Sequence, residues 1–446
     1  MTEFLKSDRG KSVVVGLGRQ YWILWSSSTL ANLGDGLRLV ALPLIAYSVS
    51  DDAVDITLIA VFAALPGLLV GPLAGVVVDR LDRRRVIAVA HALRTLLVLA
   101  FALLVQAGRT DLAFVYALAV LLPLFEVFAD SAAQPLLSEL LPERLLEKGN
   151  ARLFVARMLA QDVLGSPAAG LLIGVSASLP FFANGATFAG AMVLVLMLRA
   201  PARPVEGRPG VEPSTRAGGL RSAVSGIGRD MREGLAAVWR TPLVRAIALT
   251  SAVLNFVLLT GSALLVVYAK QDLRLTDEEY ALLFTAAAVG SALGGWAAPY
   301  IAGRLGTGPT MVLSLVAAGL SRAGFGLARG LWVALGTFFA IGAATFVYNV
   351  AVASYLQRVT PNALIGRVYA TTQAASYGAA VLAALTAGGL AQVTSPRTIM
   401  LAGGIAAIGC GIACWWTTPR DDGARDAREE RTPVTAAPGA DPRSEK

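Results

Sequence analysis

The sequence predicts an all-α membrane protein: twelve transmembrane helices in two six-helix, pseudo-symmetric bundles, with both termini in the cytoplasm. Composition, run length and the placing of cations predict it. Of 446 residues, 55% are hydrophobic and only 15% charged, with a mean hydropathy of +0.63. An ordinary soluble domain carries about 25% charged residues. Apolar runs recur through most of the chain, and a run of about 20 residues crosses the hydrocarbon core as a helix. The net charge of +8 is mostly arginine, set in short gaps between the runs, where cytoplasmic loops carry it. A nucleic-acid-binding protein would gather that charge on one folded basic face, so the expected surroundings are a lipid bilayer and no nucleic acid.

The predicted spans are 21–48, 56–78, 86–106, 112–137, 150–176, 181–199, 243–269, 278–302, 310–328, 331–355, 366–393 and 397–418, numbered 1 to 12 below. An even number puts both termini on one side. Among the 38 Lys and Arg, Arg38, Arg94, Arg157 and Arg322 fall inside spans. Arg109, Lys270, Arg274, Arg329 and Arg397 fall in loops on the far side. The remaining 29 lie on the side of the N-terminus, so that side is predicted to be cytoplasmic. The leading "MTEFLKSDRGK" is polar and lacks a signal-peptide core, so span 1 is expected to stay in the mature protein.

Four regions follow. Residues 1–199 form the first bundle, 200–242 a cytoplasmic linker, 243–418 the second bundle and 419–446 a tail. The linker begins rich in Pro, Gly and Arg. It continues into "LRSAVSGIGRDMREGLAAVW", where Leu220, Val224, Ile227, Met231, Leu235 and Val238 recur at helical spacing. That pattern fits an amphipathic helix on the inner membrane surface or one packed on cytoplasmic loops. The charged, Pro/Ala-rich tail is expected to be disordered. The bundles also match each other. A shift of 219 residues lays "LLSELLPERLL" over "YLQRVTPNALI", pairing Pro142 with Pro361 and Leu145 with Leu364. A shift of 223 brings Gly67 and Gly71 onto Gly290 and Gly294. Such repeats place a substrate site near the midplane between them. The glycines, with Gly75, make a ladder that lets helices approach and slide closely.

Charges inside the spans narrow the function. Span 1 carries Asp35 and Arg38, span 4 Glu126 and Asp130, and span 5 Arg157 and Asp162. Six such charges facing lipid would cost on the order of 15–20 kcal/mol, so they must face a cavity or each other. By helical rise, Asp130 and Arg157 lie roughly 10 Å in from the cytoplasmic ends of their spans. Asp35, Glu126 and Asp162 lie roughly 16–20 Å in, near the midplane. Asp130 with Arg157 reads as a structural ion pair, with a contact between Asp130 and Arg83 as the alternative. The repeat partner of Asp130 is Asn349, which is uncharged. Burial in a low-dielectric cavity favours the neutral form of a carboxylic acid, so Asp35 and Glu126 are candidates to carry a proton. The opposing reading has Arg38, or Arg94 in span 3, neutralise them permanently. His91, the one histidine, reads as structural, and Arg322 in span 9 has no partner in the pattern. Cys410 and Cys414, one turn apart, make neither a disulfide framework nor a zinc site. No metal is expected. A membrane enzyme would need a nucleophile with a base, or a metal cluster, and neither is present in the pattern.

One loop breaks the apolar pattern sharply. In "GVVVDRLDRRR", Gly75 to Arg85, six of the seven residues from Asp79 to Arg85 are charged. The loop resembles the loop 2–3 signature of the major facilitator superfamily: Gly, three residues, Asp, Arg, one residue, Gly, Arg, Arg or Lys. Here Gly75, Asp79, Arg80, Arg83 and Arg84 match, and Asp82 stands where the family has glycine. "NLGDGL" in span 1, "LLPERLLEKGNA" after span 4 and "PNALIGRVYA" after span 10 resemble the drug and siderophore efflux branch that includes macrolide and enterobactin exporters. "LGSPAAG" in span 5 is similar to the antiporter motif, keeping Gly165, Pro167 and Gly170.

The resemblance implies a multi-pass protein of a bacterial cytoplasmic membrane. It would act as a monomer, with no cofactor and the proton gradient as energy source. It also implies that spans 1, 4, 7 and 10 line the central cavity, which puts Asp35, Arg38 and Glu126 on the path of substrate and proton. Asp79 and Arg83 would then latch the two halves in the outward-open state, within a gate formed by Gly75, Asp79, Arg80, Arg83, Arg84, Asp130 and Arg157. The expected activity is proton-coupled export of a hydrophobic or cationic small molecule such as a drug, antibiotic or siderophore. An importer or a lysophospholipid flippase on the same fold is the alternative, and a non-transporting membrane sensor a remote one.

Overall fold

The computed structural model describes residues 4–6, 12–14, 17–199, 242–359 and 362–415. The expected linker helix and disordered tail lie outside the described residues, apart from residue 242, where the helix of span 7 begins. A short antiparallel hairpin pairs Phe4–Lys6 with Ser12–Val14. Among the described residues all other regular structure is helical.

Helices occupy every predicted span. Among the described residues, eight are long and apolar enough to cross a membrane on their own, or nine counting one bent pair. Short polar side chains fix several of their starts by accepting the backbone N–H groups that a helix leaves free. Asp52 accepts from Val54 at 2.7 Å ahead of span 2, and Asp111 from Phe114 at 3.1 Å ahead of span 4. Thr276 and Glu279 cap span 8 reciprocally, at 3.2 and 2.8 Å, which is a capping box. Three spans are interrupted. Span 2 breaks into Ala53–Leu69 and Gly71–Val78, with proline in the first turn of the second piece. Span 5 runs Glu143–Met158, then a π-helical turn Leu159–Gly165, then Ser166–Val175. Span 7 bends by 50° beyond Ala263 and ends in a second π turn, Tyr268–Asp272. The Tyr268 hydroxyl holds that end, donating to the carbonyls of Phe325 and Gly326 at 2.9 and 3.1 Å.

Glycine sets how closely the spans pack. A Cβ on Gly36 of span 1 would strike the backbone of Gln161 in the π turn of span 5. One on Gly165 would strike Leu33 and Gly36 in return. Spans 1 and 5 therefore meet backbone to backbone, at the level of Asp35. Gly290 and Gly294 press in the same way on Phe339 and Ala343, joining spans 8 and 10 within the second half. The two glycine ladders of the repeat thus do different jobs. Of the first, Gly67 lies against the Tyr377 ring of span 11 across the two halves, while Gly71 and Gly75 meet nothing within 4 Å.

The contacts between halves are uneven along the spans. At the end opposite the Asp79–Arg85 loop they are close: Gly388 abuts Thr57, Gly170 abuts Ala281, and Gly174 abuts the Glu278 carboxylate. There the Gln271 amide also donates to the Asp51 carbonyl at 3.1 Å. Toward the loop end, Cβ atoms built on Gly71, Gly75 and Gly303 would all meet open space. Among the described residues, these contacts between the halves lie at the end opposite the loop.

Gly36→Leu is expected to force spans 1 and 5 apart, and overpacking of that kind costs about 1–3 kcal/mol. Gly303→Ala fills open space and gains up to about 1 kcal/mol of helix propensity. Thermal unfolding in detergent should therefore drop for the first variant and not for the second. Equal midpoints would refute the backbone contact.

Candidate functional site

The first half concentrates its intramembrane charge in one cluster. Asp35 of span 1 accepts a close hydrogen bond from the Arg94 guanidinium of span 3 and pairs with Arg38, one turn along its own helix, at 3.4 Å. Glu126 of span 4 pairs with Arg38 at 3.5 Å and with Arg94 at 3.6 Å. Two carboxylates and two guanidiniums so form a closed ring across three spans. Access falls along it: the Glu126 side chain is 24% exposed, Asp35 7% and Arg94 2%. Arg94 is held from behind as well, its guanidinium 4.0 Å from the centre of the Phe188 ring on span 6. The His91 ring lies nearly parallel to the same Phe188 ring, with centroids 6.3 Å apart.

A small polar pocket opens beside the ring, lined by Asn32, Asp35, His91, Arg94, Glu126 and Asp130 among others, with a volume of about 40 Å³. That is room for about three waters, far below the roughly 300–1,000 Å³ of a site for a drug-sized ligand. Nε of Arg94 and Nδ1 of His91 are buried there without a protein partner, which are the groups an internal water satisfies. The pocket suits water and protons.

The remaining predicted residues fall into three groups. Asp130 is exposed one turn beyond Glu126, on the same face of the helix. It makes no ion pair within 4.0 Å with either Arg157 or Arg83; Arg157 is itself exposed and acts on Asp130 only at longer range. Asp162 sits in the π turn of span 5. Gly165 and Gly170 seat span 5 against span 1 and span 8 respectively, and Pro167 begins the helix between them.

The loop residues tie the first half to itself. Arg83 bridges Asp79, at 3.4 Å, and Glu139 at the end of span 4, by a close contact. Arg84 donates to the carbonyls of Val195, at 3.1 Å, and Leu196, capping the C-terminal end of the span 6 helix, where a cation is favoured. Asp82 is the N-cap of span 3, accepting from the Arg85 N–H at 3.3 Å. Its departure from glycine therefore has a local reason. Asp79 is 67% exposed and Arg80 is exposed, and among the described residues neither Asp79 nor Arg83 forms an ion pair with the second half.

Sequence reading placed Arg94 only as a possible neutraliser, whereas it is the hub of the ring. Its signal was present, as an arginine at the middle of span 3 with no acid on its own helix. Asn184 carried no signal at all. It is buried in span 6 against Gly34, with both amide atoms unpartnered.

The sequence profile of the major facilitator superfamily matches residues 24–384 and, again, 249–442. The chain belongs to the major facilitator superfamily. It is a transporter rather than an enzyme, and a multi-pass protein of the cell membrane. Among curated proteins it is similar to the multidrug efflux pump Tap of Mycolicibacterium fortuitum, 26% identical over 390 residues, covering 85% of this chain and 91% of that one. It is also 26% identical over 385 residues to the uncharacterized MFS-type transporter YfiS of Bacillus subtilis, covering 83% and 86%. Among solved structures, the nucleoside transporter NupG (D323A mutant) has a TM-score of 0.71 at 13% identity, covering 90% of this chain and all of that one. A bacterial homologue of the iron transporter ferroportin, in its inward-facing state, has a TM-score of 0.68 at 18% identity, with the same coverage. These low identities establish the shared fold.

Asp35→Asn would leave Arg94 buried with half its counter-charge, a change expected to cost about 3–5 kcal/mol. Adding Arg94→Leu removes the stranded cation and should recover much of that loss in a denaturation series. Additive losses in the double variant would show that the two charges do not act as a pair.

Proposed function

We propose that this transporter exports a hydrophobic, cationic small molecule in exchange for protons by alternating access. In this reading twelve spans cross the cytoplasmic membrane, both termini are inside, and the Asp79–Arg85 loop marks the cytoplasmic end. Contacts between the halves at the opposite end then fit an inward-facing conformation. The relationship to an efflux pump over most of both chains supports export.

The observation that carries the coupling is the charge count in the first half. Four carboxylates, Asp35, Glu126, Asp130 and Asp162, stand against three guanidiniums, Arg38, Arg94 and Arg157. With all ionised the sum is one negative charge, which one proton or one monovalent cation balances. A second net charge of either sign in a low-dielectric site is costly, so proton and cationic substrate exclude each other. Glu126 is the acid placed to exchange. It is half-buried, shares both arginines at the long distances of 3.5 and 3.6 Å, and borders a pocket large enough for water. Asp35, buried and closely bonded to Arg94, holds the ring together.

Import on the same fold is the second reading, because the structurally similar proteins include a nucleoside transporter. Efflux of a lipophilic cation from a pump-deficient host, with and without an uncoupler, separates the two. Wild type should clear the cation and lose that ability with the uncoupler, while Glu126→Gln should accumulate it to the level of the empty host at equal expression. Uncoupler-sensitive efflux at the wild-type rate in Glu126→Gln would remove the coupling assignment. Asp79→Asn tests the gate in the same assay: slowed efflux with intact uncoupler sensitivity is expected, and an unchanged rate would leave the loop a topological role only.

A further inference from the structure

Span 1 and span 5 enclose a groove on the first half, apart from the charged ring, of about 430 Å³, lined by Trp22, Trp25, Lys148, Arg152, Val155 and Leu159 among others. We propose that this groove binds one anionic phospholipid of the cytoplasmic leaflet, its phosphate held by Lys148 and Arg152 and its acyl chain laid along Val155 and Leu159.

The arrangement along the helix carries the argument. Lys148, Arg152, Val155 and Leu159 stand at i, i+4, i+7 and i+11, one stripe of the span 5 helix. Two cations occupy the end nearest the loop 2–3 side, and two aliphatic side chains follow. From Lys148 to Leu159 the stripe rises about 16 Å, close to half of the roughly 30 Å hydrocarbon core. It is thus charged at one end and apolar over one leaflet's depth, the profile of a single phospholipid. Val155 is 47% exposed and Leu159 44%, so the apolar end is open.

The opposite wall suits the same ligand. Trp22 is exposed, and Trp25 donates its indole N–H to the Arg152 carbonyl at 3.3 Å. The Arg152 guanidinium lies 5.5 Å from the centre of the Trp22 ring, which orients it without neutralising it. No carboxylate comes within 4.0 Å of Lys148 or Arg152 among the described residues, although Glu143 and Glu147 share the helix. Paired tryptophans beside unpaired cations at a membrane surface favour a headgroup that is both anionic and interfacial.

The leaflet assignment rests on the proposed orientation, so the test is built to be independent of it. Full-length protein is placed in nanodiscs carrying brominated phosphatidylglycerol or brominated phosphatidylcholine in both leaflets, and tryptophan quenching is read for wild type, Trp22→Phe/Trp25→Phe and Lys148→Gln/Arg152→Gln. The glycerol lipid should quench wild type more strongly. That excess should vanish in the tryptophan variant and fall to the choline level in the Lys148→Gln/Arg152→Gln variant, with efflux coupling unchanged. Equal quenching by the two lipids in wild type, or an excess that survives loss of both cations, would overturn the site. Loss of the excess on adding free glycerol phosphate would show a site for soluble phosphate and also overturn it. None of these outcomes depends on Glu126, so failure here is distinct from failure of the export reading.

Discussion

The Asp35–Arg94 pair is the interaction on which the first half depends. A lone charge at the middle of a span costs a few kcal/mol even on a lenient scale, and two on neighbouring helices remove most of that cost only if they meet. Their meeting fixes the rotation of spans 1 and 3 about their axes. It also draws in Glu126 and Arg38, because Nη2 of Arg94 faces both acids. Once the ring is closed, the residues around it are no longer free to vary independently. Phe188 must present its face to Arg94, and Gly36 must be bare where the π turn of span 5 crosses span 1. The π turn itself belongs to this constraint. Such turns recur at functional sites, and here the turn brings Asp162 to the level of the ring while Gly165 keeps the backbones in contact.

What was legible in the sequence follows from what leaves a periodic mark. Twelve apolar stretches were readable because hydrocarbon imposes length and composition on each, and helices occupy all of them. The acids of spans 1 and 4 were readable as a site because charge in such stretches is rare. Pairing was harder. The link from Asp35 to Arg94 spans 59 residues, and sequence spacing speaks only of neighbours on one helix, so it found the i, i+3 partner Arg38 and left Arg94 as a bystander. The same limit explains Asp130. Depth suggested Arg157 as its mate, but equal depth on two spans does not set the rotation of either, and the two exposed side chains do not close within 4.0 Å. Asp82 shows the reverse. It looked anomalous against the family glycine, yet aspartate before a helix is an ordinary N-cap, and local chemistry explained it without reference to the family.

The break in the repeat is as informative as the repeat. Arg322 is buried among the same three spans of the second half, 7, 9 and 12, that correspond to spans 1, 3 and 6 around Arg94. Its Nη2 contacts the Met400 sulfur at 3.3 Å, and its guanidinium occupies the space that Gly261 leaves by lacking a Cβ. No acid pairs with it among the described residues, and no Asp or Glu lies between Pro242 and Trp415 except near 272–279. The duplicated scaffold therefore keeps a buried arginine in both halves while only one half supplies carboxylates. On the proposed reading this divides the labour: the first half titrates, and the second is the mostly apolar body against which it rocks.

That division bears on how a charge balance could drive motion. The halves touch through Gly67 on Tyr377, Gly388 on Thr57 and Gly170 on Ala281, contacts in which one partner is a glycine, with the Gln271–Asp51 hydrogen bond and Gly174 on Glu278 as the polar contacts at the far end. Contacts of this kind can slide at low cost, so they do not by themselves favour one conformation. The bias must come from a group whose energy differs between states. On the proposed reading that group is the ring, with opening to the other side changing the water available to Glu126. A ligand shifts a two-state equilibrium only by its differential affinity for the two states. A proton on Glu126 meets that condition wherever the pocket is wetted from one side at a time, and a bound cation meets it from the other. On the proposed reading the same four-charge ring that stabilises the bundle also acts as its switch, because its most exposed member, Glu126, can change partners without breaking the Asp35–Arg94 bond.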